Sequence, residues 1–197
     1  MIIEFSFDDG NRLDLKVAKL LNKYGFGGTF YIPSNCEMSE DEIKLIANDH
    51  TIGGHTVNHM QDLKLLTDNE LKIEIEDNRK WLQKLTGQGL LFFCYPRGRY
   101  DERVIRAVMT AGYSIARTTK VLETDTPPKD FEYGTTIHMY NRNEYNGTAW
   151  YDIARSMFDV AKKKRGYYHL WGHSWEIDKN NDWDNFENLL DYINKNI

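Results

Sequence analysis

Strand-like and helix-like segments alternate along this chain from its first residues. Ile2-Ile3-Glu4-Phe5-Ser6-Phe7 is rich in β-branched and aromatic residues and stops at the turn signal Asp8-Asp9-Gly10. Leu13, Val17, Leu20, Leu21 and Tyr24 then follow helical spacing until Gly25. Gly28 to Ile32 reads as a second strand, ended by Pro33. Ser39-Glu40-Asp41-Glu42 fits a capping box, with Met38 and Ile43 as its hydrophobic staple, and opens a helix to about Asn48. Thr51 to Gly54 is a short strand leading into His55. A second capping box, Thr67-Asp68-Asn69-Glu70, is stapled by Leu66 and Leu71. Its helix carries Leu71, Ile75, Leu82 and Leu85 on one face and ends at Gly87.

The alternation continues to the end of the chain. Leu90 to Tyr95 is strand-like and stops at Pro96; a helix from about Asp101 to Ala111 follows, then a strand at Tyr113 to Ala116. Lys120 to Tyr133 is polar, contains Pro127-Pro128 and reads as a loop. Thr135 to Met139 and Tyr167 to His173 read as strands, Ala149 to Lys163 and Trp183 to Asn194 as helices. Repeated strand-then-helix units imply a parallel sheet with helices outside. About seven such units predict an α/β fold: a single-domain, distorted (β/α) barrel spanning residues 1–197, less regular than the eightfold form. Chemistry in such folds gathers where strands end and helices begin.

Composition narrows the field. The hydrophobic fraction of 41% supports a sizeable core, and a formal net charge of -5 gives no electrostatic reason to expect nucleic acid. Two cysteines, Cys36 and Cys94, are too few for a disulfide framework, and Cys94 lies in an apolar run as a buried thiol. No run approaches the roughly 18 apolar residues of a membrane span. Met1 to Phe5 lacks the basic start and long apolar stretch of a signal peptide, so the expectation is a cytoplasmic protein or a trimmed secreted domain. Nothing in the sequence points to a protein partner.

The candidate chemistry lies at strand ends. Asp8 and Asp9 place like charges side by side, which raises their free energy unless a cation is near. His55 and His59 stand at i and i+4, so a helical turn would put both imidazoles on one face to grip one ion. One carboxylate and two imidazoles suit Zn²⁺ with open positions, and also non-haem Fe(II). Alternation puts His169, Trp171 and His173 on one strand face, with His173 at its C-terminal end. Tyr95, Pro96 and Arg97 form a strand-to-helix junction facing the same mouth, with Asp101 as a helix cap. Trp175, two residues past His173, is the tryptophan placed to meet a substrate. His50, His138 and His169 have no nameable partner and read as structural.

These motifs resemble the polysaccharide deacetylases of carbohydrate esterase family 4, the NodB-homology group. Ser6-Phe7-Asp8-Asp9-Gly10 is similar to its Thr-Phe-Asp-Asp-Gly motif, and His55-Thr56-Val57-Asn58-His59 to its His-Ser/Thr-x-x-His motif. Cys94 to Gly98 is similar to its Arg-x-Pro-Tyr-Gly motif, and Leu170-Trp171-Gly172-His173 to its last. The resemblance implies that Asp9, His55 and His59 bind a divalent metal, Zn²⁺ first, with Co²⁺ or Ni²⁺ as alternatives. It implies Asp8 as catalytic base and His173 as the acid that protonates the leaving amine. Two departures stand out. The arginine that in the family holds the catalytic aspartate is Cys94 here, and the fourth motif has no clear match near Thr124 to Tyr133. Arg117, at the end of the next strand, is the candidate to brace Asp8 instead. The expected activity is N-deacetylation of N-acetylhexosamine units in a glycan. The alternatives are hydrolysis of a small non-sugar amide or imide, and a carbohydrate-binding domain without turnover.

Overall fold

The computed structural model describes residues 1–125 and 131–197. The expected Lys120–Tyr133 loop, and within it the stretch Thr124 to Tyr133 that has no clear fourth motif, lies partly outside them; Pro127-Pro128 lies wholly outside.

Seven strands form one sheet: β1 (Ile2–Asp8), β2 (Thr29–Ile32), β3 (Thr51–Gly54), β4 (Phe92–Cys94), β5 (Ile115–Arg117), β6 (Ile137–His138) and β7 (Tyr167–Gly172). Their order is β5-β4-β3-β2-β1-β7-β6, and every pairing is parallel. The sheet curls until its edges approach. Tyr133 bridges to Arg117 on β5, and a few residues later Ile137 pairs with Leu170 on β7. The seven-stranded distorted barrel expected from the sequence is therefore present.

Eight α-helices are described: α1 (Asp14–Lys23), α2 (Glu40–Ala47), α3 (Asp68–Lys72), α4 (Asn78–Thr86), α5 (Glu102–Thr110), α6 (Trp150–Lys164), α7 (Ser174–Lys179) and α8 (Trp183–Asn196). Both capping boxes form, at Ser39 with Glu42 and at Thr67 with Glu70. Asp101 caps α5 through the Val104 N–H. The helix expected to run unbroken from Thr67 to Gly87 is instead widened into a π turn at Ile73–Asp77, between α3 and α4. Helix α7 is an element that the sequence pattern does not predict.

Strand alternation sorts the side chains. Phe5 and Phe7 face outward and pack on Phe26, Phe30 and Phe186. Glu4, Ser6 and Asp8 face the interior, which is unusually polar: Ser6 bonds His169 at 2.7 Å, and Tyr167 joins His169 to Glu4. The same inward parity carries Asp8 and His173 to the C-terminal mouth.

Candidate active site

The end of β1 is built for close approach. Asp9 and Gly10 both take left-handed backbone, with φ of 80° and 62°. A Cβ on Gly10 would lie 2.7 Å from the Cβ of Cys36, so this position needs glycine on two counts. The turn lifts the Asp9 carboxylate toward the loop that follows β3. Its Oδ1 lies 3.2 Å from Nε2 of His59 and 3.6 Å from Nε2 of His55.

The two imidazoles do meet, but not on a helix. Thr56 and His59 have φ of 70° and 48°, so the segment is an irregular loop and the expected helical turn is corrected. A β-branched residue such as Thr56 rarely adopts this conformation, and strain of this kind concentrates at functional sites. His55 is buried, and its Nδ1 donates to the Cys94 carbonyl at 2.8 Å. That bond fixes the tautomer and leaves Nε2 free as a donor to an ion. Burial and the neighbouring His55 hold the pKa of His59 below its ordinary value, which keeps it neutral and able to ligate.

The residues fit a divalent metal. Asp9 Oδ1 is buried with no hydrogen-bond partner among the described residues. One ligand atom each from Asp9, His55 and His59 lies within 4.8 Å of the others. Burial pushes the Asp9 carboxyl up, but the facing His55, His173 and His59 side chains outweigh it and hold it well below the usual carboxylate range. One carboxylate and two imidazoles suit Zn²⁺, Co²⁺ or Ni²⁺.

Asp8 is buried beneath this set and is clamped by Arg117, whose Nη2 donates to both carboxylate oxygens. Burial would raise its pKa; the charges of Arg117, His55 and His173 outweigh that and hold it below the usual range. Arg117 is fully buried, with its guanidinium 4.5 Å from the Trp171 ring and 5.1 Å from the Tyr31 ring. Register explains how it reaches Asp8. Cys94 and Arg117 are paired residues on β4 and β5, so both side chains point inward at the same level. Cys94 contacts the same carboxylate, its Sγ 3.5 Å from Asp8 Oδ2, and burial keeps the thiol protonated.

His173 approaches from the other side, with Nε2 3.7 Å from Asp9 Oδ2. Its Nδ1 donates to Glu176 at 2.5 Å, and the same Glu176 oxygen accepts from His138 at 2.9 Å. Burial opposes charge on His173, but the Glu176 hydrogen bond and the Asp8, Glu176 and Asp9 charges push its pKa up to about 9. Burial also opposes ionisation of Glu176; the two histidines prevail and bring it down to about 2. His138, read from sequence as structural, thus belongs to this network and stacks on Trp171 at 3.9 Å. Glu176 was missed, although it stands one helical turn beyond His173, a spacing that could have pointed to it. Asp14 was missed as well. It is buried, accepts from Ser174 at 2.5 Å, and burial pushes its pKa up to about 8.

The residues expected to meet substrate divide. Trp175 lines a cavity of about 420 Å³ with Asp9, His59, Asn11, Pro33, Asn35, Cys36 and Glu37, and donates to Asp9 Oδ2 at 3.2 Å. Arg97 is exposed, in left-handed backbone at φ 57°, near enough to His59 for its charge to lower that pKa. Tyr95 and Pro96 are buried and do not line this cavity. The Tyr95 hydroxyl donates to the Phe131 carbonyl and its N–H to the Arg117 carbonyl, so that amide is not a free donor for an oxyanion.

A carboxylate and two imidazoles meet at the C-terminal mouth of a curled parallel barrel, a donor set able to hold a divalent ion. The chain belongs to the polysaccharide deacetylase family, whose family model matches residues 2–116. The peptidoglycan-N-acetylmuramic acid deacetylase PdaA of Bacillus subtilis is 30% identical over 116 residues, covering 56% of this chain and 44% of that protein. The chain spans less than half the length of the curated relatives it matches. In fold it is similar to a family 4 carbohydrate esterase from Streptomyces lividans, solved in complex with acetate, with a TM-score of 0.67 at 13% identity over 98% of this chain and 85% of that one. It is also similar to a family 4 pseudoenzyme from Bacillus anthracis, with a TM-score of 0.66 at 11% identity over 99% of this chain and 61% of that one. Among the described residues, no helix is long and apolar enough to cross a membrane.

Proposed function

We propose that residues 1–197 form a metal-dependent hydrolase that removes N-acetyl groups from N-acetylhexosamine units of a glycan. The observation that carries this reading is the joint placement of Asp8, Asp9, His55, His59 and His173 at one mouth. A binding domain has no use for a base and an acid on opposite sides of a metal-ligand set. Asp9, His55 and His59 hold the ion, which supplies Lewis acidity and brings the pKa of water from ~15.7 toward ~7.

The chain's own groups do the rest. Asp8, kept ionised by Arg117, accepts the proton of the attacking water. His173 carries its proton on Nε2 while Glu176 holds Nδ1, and it gives that proton to the departing nitrogen. An amine leaves poorly unless protonated, so this donation governs breakage of the C–N bond; acetate and the free amine result. Trp175 offers a flat apolar face beside the ligand set, suited to stacking on a sugar ring. Asn35 and Glu37 on the cavity rim are exposed, which favours an open groove for a glycan over an enclosed pocket for a small amide. The deacetylase named for the matched relative supports the same reaction class.

Acetate release from N-acetylglucosamine oligomers tests the proposal. Release by the wild-type chain and its loss in Asp8→Asn are expected. A metal-loaded wild-type chain that binds the oligomer but releases no acetate would assign it to the non-catalytic class.

A further inference from the structure

The loop that carries His55 and His59 is strained, yet its backbone is not left to hold itself. The anchors on its helix side come from the π turn and from the first residue of α4. Asn78 Oδ1 accepts the His55 N–H at 3.0 Å. The Glu74 carbonyl accepts the Val57 N–H at 3.0 Å. Glu74 Oε2 accepts the Asn58 N–H at 2.9 Å, and Oε1 accepts the Asn58 side-chain amide at 2.6 Å. Three of the four backbone amides from His55 to Asn58 are thus fixed by two residues four apart.

Both residues are unusual for a helix exterior. Glu74 is buried to 5% and Asn78 to 0% relative exposure, where a polar group must be fully bonded to be tolerated. Asn78 completes its bonding by donating to the Ile32 carbonyl and Ser34 Oγ, which ties the loop to the end of β2. Among the described residues, Glu74 has no cationic partner within salt-bridge distance. A buried carboxylate devoted to one loop is costly unless that loop needs fixing. A π turn is a rare helix distortion that is enriched at functional sites, and here it falls at the segment that reaches the metal loop.

We propose that Glu74, presented by the π turn and aided by Asn78, is a positioning residue that sets the His55–His59 spacing for metal binding. Its carboxylate accepts two N–H groups of Asn58 and so holds the residue before His59, whose left-handed backbone aims Nε2 at Asp9. The hydrogen bonds of Glu74 to this loop fall on Val57 and Asn58, between the two histidines. The proposal rests on the assignment of Asp9, His55 and His59 as metal ligands, but not on the glycan.

Titration of the purified chain with Zn²⁺ alone, followed by calorimetry, reads this directly. Loss of a group that orients metal ligands weakens metal affinity by roughly 10–100-fold. Glu74→Ala is expected to fall in that range. Glu74→Gln, which keeps one acceptor but turns a donor toward an N–H, should fall between it and the wild type. Glu76→Ala, on the same turn but paired with Lys80 at the surface, should leave affinity unchanged. The Co²⁺-loaded Glu74→Ala chain should also show altered visible ligand-field bands, which loss of stability alone would not produce. Should Glu74→Ala fail to fold, Asn58→Ala removes the 2.6 Å bond from the loop side and should weaken Zn²⁺ by several-fold. A folded Glu74→Ala chain, or Asn58→Ala chain, with wild-type Zn²⁺ affinity overturns the clamp alone. A wild-type chain that takes up no Zn²⁺ overturns the metal assignment and the clamp together.

Discussion

The two sides of the metal-ligand set are built differently. On one side Asp8 is held by a guanidinium from a neighbouring strand, fully buried between aromatic rings. On the other, His173 is held by a carboxylate one helical turn along the chain, in a partly open position. The first arrangement locks a charge in place and resists titration. The second stores a proton on an imidazole that can still give it up. In the proposed reaction, a base that must stay ionised and an acid that must hold its proton are served by partners of opposite charge, Arg117 and Glu176.

Removing the acid should have the largest effect on rate. His173→Ala is expected to lower kcat by roughly 10²–10⁴-fold with metal content unchanged. Loss of metal in this variant would make His173 a ligand instead.

Breaking the base side should come next. Arg117→Ala leaves a buried carboxylate without its counter-charge, at a cost of about 3–5 kcal/mol in stability measured by denaturant unfolding. Turnover should fall by roughly 10–100-fold as the positioning partner is lost. Because Cys94 and Arg117 are register partners, Cys94→Arg in the Arg117→Ala background should return the guanidinium to Asp8 and recover much of both. Unchanged turnover in Arg117→Ala would show that Asp8 needs no brace.

Glu176→Gln separates the two sides by their pH dependence. His173 is raised to about 9 in part through Glu176, so the alkaline limb of kcat should start near that pH and move down by roughly 1–3 units in the variant. Asp8, whose carboxyl is held low, should leave the acid limb in place.

The smallest effect on turnover concerns Asp14, which is read through stability instead. Its folded pKa of about 8 lies above the unfolded value, so the native state binds more protons, and stability declines as pH rises from ~4 to about 8. Asp14→Asn should flatten that decline and raise Tm at pH 8. An unchanged slope would mean that Asp14 is not the source.

Local rules made much of this legible. Ser39, Thr67 and Asp101 announce helix starts because caps depend on neighbours three residues away. Asp9, His55, His59 and His173 could be grouped because a parallel barrel brings strand ends to one mouth. Arg117 could be named because it ends a strand, though only the register with Cys94 explains its reach. The π turn at Ile73–Asp77 could not be read, since the helical spacing of Leu71, Ile75, Leu82 and Leu85 carries no sign of it. His138 escaped because its partner lies 38 residues away, across a strand order that the sequence does not state. Tyr95 and Pro96 were expected at the mouth by proximity in sequence, but a stack of Tyr95 on Tyr100 at 4.5 Å turns the tyrosine into the wall.

The most direct test of the Asp9, His55, His59 site is metal analysis of the purified chain coupled to acetate release from N-acetylglucosamine oligomers before and after chelation. One divalent ion per chain is expected, with release that stops on chelation and recovers on adding Zn²⁺. Release that persists in a metal-free chain would contradict it.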